Sequence, residues 1–157
     1  MNVLFLCTGN SARSILAEAI LNAKGGSRFT AYSAGSHPRG AVHPLALSVL
    51  ETCGIPSTGL ASKSWEVFSG DQAPHMDVVI TVCDQTATEA CPLWPGAPIS
   101  AHWGLPDPAA TTGSDTQRMA AFAAAFTTLE RRIDLLIGLP LDFLSPDELE
   151  GQLRAIR

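Results

Sequence analysis

The sequence predicts an α/β protein built on a parallel sheet with helices packed over it. Short apolar runs rich in β-branched residues alternate with stretches of helical spacing, the order in which parallel strands and crossover helices follow one another. The chain has 157 residues, 46% of them hydrophobic and 16% charged, which suits one well-filled core. No repeat, linker or shift in composition divides it, so residues 1–157 are expected to form a single domain.

The elements follow in order. Val3, Leu4, Phe5 and Leu6 form a continuous apolar run, as in a strand covered on both faces. A loop from Cys7 to Ser14 comes next, and then Ile15, Leu16, Ala19, Ile20 and Ala23 recur at helical spacing up to Gly25 and Gly26. Residues 29–33 read as a second strand, ended by Ala34 and Gly35. His43 and Pro44 open a second helix with Leu45, Leu47, Val49 and Leu50 inside. Gly54 stops it, and Cys53 reads as a packing residue. Residues 76–82 are the clearest strand, and Cys83 and Asp84 end it. Residues 85–90 are polar and compatible with a helix, residues 99–103 suggest a fourth strand, and residues 104–108 form a loop. A long Ala-rich helix spans 115–137, its run 119–126 read as core packing. Ser145 caps a last helix with Pro146 at its first position.

Composition excludes several classes. The formal charge of −5 argues against a nucleic-acid surface. No apolar run reaches membrane-spanning length, and the first residues lack a signal-peptide pattern, so a cytoplasmic location is expected. The four cysteines, Cys7, Cys53, Cys83 and Cys91, then read as reduced thiols rather than a disulfide framework. They form no Cys-x-x-Cys pair and show no ligand spacing to a histidine, so no metal site is expected.

The first loop carries the chemistry. Cys7 and Arg13 bracket Thr8, Gly9, Asn10, Ser11 and Ala12, between a buried strand and a helix start. Small residues there let successive backbone N–H groups turn inward around an oxyanion, and the helix N-terminus adds positive potential. The same field is expected to lower the pKa of Cys7 and make it a nucleophilic thiolate. Arg13 can grip two oxygens of a tetrahedral anion, Ser14 is placed to donate to the thiolate, and Asn10 tolerates an unusual backbone geometry. Cys7, Cys83 and Asp107 each follow an expected strand, which puts all three at the carboxyl edge of the sheet.

The run from Cys7 to Ser14 resembles the catalytic loop of the low-molecular-weight protein tyrosine phosphatase superfamily. Tyr32, Ser33, Ala34 and Gly35 resemble the segment that buttresses it, and Asp107-Pro108 the general-acid motif. The resemblance runs over about residues 1–137 and implies a three-layer fold with a four-stranded parallel sheet. Residues 82–92, with Cys83 and Cys91, resemble the redox segment of thioredoxin-coupled arsenate reductases, and residues 103–108 also look more like that branch.

That resemblance implies arsenate reduction, with phosphate or sulfate as analogues of the substrate. Arsenate binds the amides of residues 8–13 and Arg13, Cys7 attacks arsenic, and Asp107 protonates the departing oxygen. Cys83 then attacks Cys7 and Cys91 attacks Cys83. No cofactor is bound. The electrons come from an external partner, thioredoxin or glutaredoxin with glutathione. Two alternatives stand beside this reading, a phosphatase using only Cys7, Arg13 and Asp107, and a non-catalytic oxyanion or redox sensor. Ala109 and Ala110 after Asp107-Pro108 replace the Asp-Pro-Tyr common in the phosphatases, although Trp94 and Trp103 could supply aromatic surface. A second cysteine often precedes the loop arginine in related sequences. Ala12 stands there, so the loop holds no internal disulfide.

Overall fold

A computed structural model describes residues 1–89 and 94–157. Its strands are β1 (Asn2–Cys7), β2 (Thr30–Gly35), β3 (Val78–Thr81) and β4 (Ile99–His102). The helices are α1 (Arg13–Lys24), α2 (Pro44–Thr52), α3 (Asp84–Thr88), α4 (Asp115–Ile137) and α5 (Pro146–Ala155). All strand pairings are parallel, in the order β2-β1-β3-β4.

Alternation along β1 sorts its side chains onto two faces. Val3, Phe5 and Cys7 join the main core with Leu16 and Ile20 of α1 and Phe122 and Leu129 of α4. Leu4 and Leu6 face a smaller cluster with Ala34, Phe68, Met76 and Val79, partly covered by Tyr32, Trp65 and Trp94. Because β1 is covered on both sides, it reads as an unbroken apolar run.

The strand order places the chemistry. The chain leaves β1 for β2 on one side, then returns across β1 to β3 on the other. The loops after β1 and β3 therefore diverge at the carboxyl edge, the crevice where open parallel sheets bind ligands. The Cys7 loop and Cys83 both lie there.

The long helix occupies 115–137, capped by a reciprocal Ser114–Gln117 box, and Ser145 caps α5 with Pro146 at its first position. Phe122, Ala125 and Phe126 of α4 are core residues. Two expectations for α2 are overturned: Leu47 and Cys53 are both exposed. The apolar residues of α2, Leu45, Ala46, Leu47, Val49 and Leu50, run round the helix rather than along one stripe, so periodicity could not choose the buried face, which holds Ala46, Val49 and Leu50.

Candidate active site

The loop after β1 is shaped from behind. Its carbonyls point outward, to a strap formed by residues 36–43. His37 N–H donates to Thr8 O at 2.9 Å, Arg39 N–H to Gly9 O at 3.0 Å, and His43 N–H to Ser11 O at 2.8 Å. With these carbonyls tied back, the amides of the loop are left to face the cavity. Ala12, the N-cap of α1, offers no side-chain acceptor, so the first amides of the helix also stay open to a ligand.

Asn10 sits at φ 43°, in the left-handed region, and is fully buried. Its amide donates to Ser14 Oγ at 2.8 Å and Ser33 Oγ at 3.0 Å, while its Oδ1 accepts from Lys63 N–H at 2.9 Å. Ser33 Oγ donates to Glu18 Oε1 at 3.1 Å, and Lys63 Nζ lies 3.7 Å from the same oxygen. Asn10, Ser33, Glu18 and Lys63 thus close a ring of polar contacts that holds the strained residue in place. Burial pushes the Glu18 carboxyl up, and the Lys63 ammonium opposes that shift. Ser14 is tied to Asn10 rather than to the Cys7 sulfur, so the expected Ser14–thiolate bond is not formed. Glu18 and Lys63 were missed in the sequence because no spacing rule links them to the loop.

Gly35 completes the support. A Cβ there would stand 2.5 Å from Thr8 O and 2.8 Å from Cys7 O. Gly35→Ala is expected to cost about 1–3 kcal/mol of stability and to weaken oxyanion binding, measurable by denaturant unfolding and phosphate titration.

Cys7 and Cys83 are both buried, both free, and close enough for their ionisations to be coupled. Cys83 is the N-cap of α3, and Thr86 Oγ1 lies 2.8 Å from its sulfur, with Thr8 Oγ1 at 3.5 Å. The Cys7 thiol and these hydroxyls together hold Cys83 down to about 4. Cys83 and then burial push Cys7 well up, against the opposing pull of Arg13 and the Thr8 amide. The neighbouring thiol thus opposes the lowering of Cys7 expected from the loop, and of the coupled pair Cys83 is the one held down. Ultraviolet thiolate absorbance is expected to show one ionised buried thiol already at about pH 6, the window between the Cys83 value and the ordinary thiol range. In Cys83→Ser that signal is expected to move to higher pH, where Cys7 ionises in its place.

Arg13 donates to Leu105 O at 3.0 Å, and its other terminal nitrogen lies 3.8 Å from Asp107 Oδ2. Asp107 Oδ1 accepts from Ala109 N–H at 3.0 Å, which leaves its other oxygen on the Arg13 side. Thr8, Gly9, Arg13, Cys83 and Asp107 line one cavity of about 430 Å³, together with the exposed His37 and Arg39. Cys91 lies outside the described residues, so its position relative to Cys83 is not described. Trp103 is buried and donates to Leu153 O, and with Trp94 it lines a separate cavity of about 940 Å³ along β4. Neither tryptophan walls the anion cavity, contrary to the aromatic role considered for them. Among the described residues no group of three or more His, Cys, Asp or Glu is placed to hold a metal ion. Nor does any described helix have the length and apolarity to cross a membrane.

Residues 2–142 match the low molecular weight phosphotyrosine protein phosphatase family. The chain belongs to that family. Within it, an arsenate reductase of Bacillus licheniformis is 32% identical over 131 residues, 83% of this chain and 91% of that one. The crystal structure of an arsenate reductase from Archaeoglobus fulgidus superposes with a TM-score of 0.68 at 26% identity, covering 87% of this chain and 99% of that one. A low molecular weight protein tyrosine phosphatase from T. tengcongensis superposes with a TM-score of 0.67 at 26% identity, covering 87% and 97%. These two structures therefore match this chain's fold about equally.

Proposed function

We propose that this chain is an arsenate reductase in which Cys7 is the nucleophile and Cys83 the first reducing thiol. One observation carries the reading: a second buried, free thiol, Cys83, lines the anion cavity beside the Cys7 loop, its sulfur 3.5 Å from Thr8 Oγ1. Hydrolysis of a phosphate ester needs no second thiol. Two-electron reduction of a tetrahedral oxyanion does. The relatives named arsenate reductases support the same branch.

The steps follow from the geometry. Arsenate enters the loop against the amides of residues 8–13 and the Arg13 guanidinium. The proton on Cys7 must leave before attack, and the coupled Cys83 thiolate takes it. Cys7 Sγ bonds to arsenic while Asp107 protonates the departing oxygen, which leaves as water. Cys83 passes the proton it took up to the Asp107 carboxylate, which gave its own to the departing oxygen, and as thiolate attacks Cys7 Sγ. The sulfur–arsenic bond breaks, its electron pair stays on arsenic, and As(V) becomes As(III). Arsenite departs and a Cys7–Cys83 disulfide remains. Cys91 thiolate attacks Cys83, freeing Cys7, and a dithiol protein of the thioredoxin class reduces Cys83–Cys91. Glutaredoxin with glutathione would serve the same last step.

The α3 segment is fastened at its start. His102 bridges Thr81 Oγ1 at 2.7 Å and Asp84 Oδ1 at 2.8 Å. That holds Cys83 at the loop, while α3 itself has only five residues and one buried side chain, Thr86. So short a helix can rearrange at little cost, as passing a disulfide outward requires.

The test is arsenate-dependent NADPH oxidation with thioredoxin and thioredoxin reductase, in wild type and the serine variants of Cys7, Cys83 and Cys91. Turnover lost in all three supports the relay. Turnover retained in Cys91→Ser points to a small thiol in place of Cys91. The T. tengcongensis likeness favours the phosphatase as second reading. Steady aryl-phosphate hydrolysis with no arsenate turnover would establish it, and anion binding with neither activity would leave a sensor.

A further inference from the structure

The anion cavity holds a second guanidinium that the relay does not use. Arg39 belongs to the strap behind the loop, and its backbone N–H is fixed to Gly9 O at 3.0 Å. The neighbouring Gly40, at φ 85°, donates its N–H to Ser62 Oγ, which in turn donates to Gly9 O. The backbone on both sides of Arg39 is thereby tied to the same loop carbonyl. The side chain then runs back over the loop. A Cβ on residue 9 would stand 3.1 Å from Arg39 Nε and 3.3 Å from its Cγ, so the glycine leaves the room in which the arginine stem lies. Among the described residues no carboxylate comes within 4.0 Å of the Arg39 guanidinium.

We infer that Arg39 is an outer anion-binding group: it faces a tetrahedral oxyanion seated in the loop from the mouth of the cavity, while Arg13 holds it from within. This deepens the proposed function and rests on the loop being an oxyanion site.

The chemistry selects the role. Arg13 already has Leu105 O as an acceptor and Asp107 nearby, so its charge is partly committed. A doubly charged oxyanion brings more charge than one such group offsets. Arg39 supplies the second positive charge on the same cavity wall. Its field also reaches inward, since Arg39 and Arg118 add to burial in lowering His43. In a chain of net charge −5, a local cationic mouth is what draws small anions in from solution. An exposed guanidinium acts mainly through its charge, so its effect should shrink with added salt, whereas the enclosed loop contacts should not.

The experiment is calorimetric titration of inorganic phosphate into the full chain, at low and high ionic strength. Wild type, Arg39→Gln and Arg39→Lys are compared, with arsenate KM and kcat measured in parallel. The expected result is roughly tenfold weaker phosphate binding in Arg39→Gln at low salt, partial recovery in Arg39→Lys, and a smaller gap at high salt. The rise in KM for arsenate should exceed any fall in kcat. Phosphate affinity within twofold of wild type in both variants at low salt would overturn the inference. So would equal losses in both variants together with a lowered melting temperature, which would mark a packing role for the strap. Phosphate binding needs no reduction. A protein that shows the Arg39 dependence but reduces no arsenate keeps this inference and loses the proposed activity, and the reverse pattern separates them equally well.

Discussion

Cys83→Ser is expected to lower steady arsenate turnover by at least about 10³-fold while leaving the oxyanion site occupied and reactive. The serine removes the sulfur that must attack Cys7, and a hydroxyl cannot replace it in disulfide chemistry. Loop amides, Arg13 and Asp107 remain, so the Cys7 adduct can still form. The substitution also removes the partner that accepts the Cys7 proton and pushes that thiol up. With that partner gone, Arg13 and the Thr8 amide act on Cys7 against burial alone, and the ionised form of Cys7 becomes more accessible. Aryl-phosphate hydrolysis, which needs only Cys7, Arg13 and Asp107, should therefore survive or rise in Cys83→Ser. Parallel assays of arsenate turnover and aryl-phosphate release check both halves. Equal loss of the two activities would mean that Cys83 supports the loop instead of supplying electrons.

Arg13→Ala is expected to reduce kcat/KM for arsenate by about 10²–10³-fold. Three functions disappear together. The bidentate grip on the oxyanion is lost, as is the positive charge that favours the Cys7 thiolate. The bond to Leu105 O, which holds the segment leading to Asp107 against the loop, is lost too. Arg13→Lys should recover only a small part, because a single ammonium cannot span two oxygens and Leu105 O at once. Phosphate affinity should fall alongside kcat/KM. Unchanged affinity would place Arg13 outside the anion site.

The parts of this site legible in the sequence are the local ones. The spacing from Cys7 to Arg13, the small residues between them and the turn-forming Asn10 all act within one loop, so a window of eight residues contains the argument. Asn10 takes the left-handed backbone that its side chain allows. Helix α4 reads cleanly because serine and glycine bracket a long apolar period. What could not be read is what depends on contact across the fold. The ring through Glu18 and Lys63 joins residues up to 53 positions apart. Arg39 reaches the loop only because the strap folds behind it.

The charge on Cys7 shows the same limit. Helix end and arginine, both local, argue for a low pKa, while the thiol that reverses the balance arrives from beyond β3. Cys53 failed for another reason: a short helix with apolar residues on every side gives no signal of which side faces water.

The most direct test of the account is a single turnover without any external reductant. Reduced protein is mixed with excess arsenate, and arsenite and free thiols are counted. The account predicts one arsenite released per chain and two thiols consumed, with mass spectrometry of the Cys91→Ser variant finding Cys7 joined to Cys83. Release of arsenite with Cys83 still reduced, or no arsenite at all while aryl phosphate is hydrolysed, would contradict it.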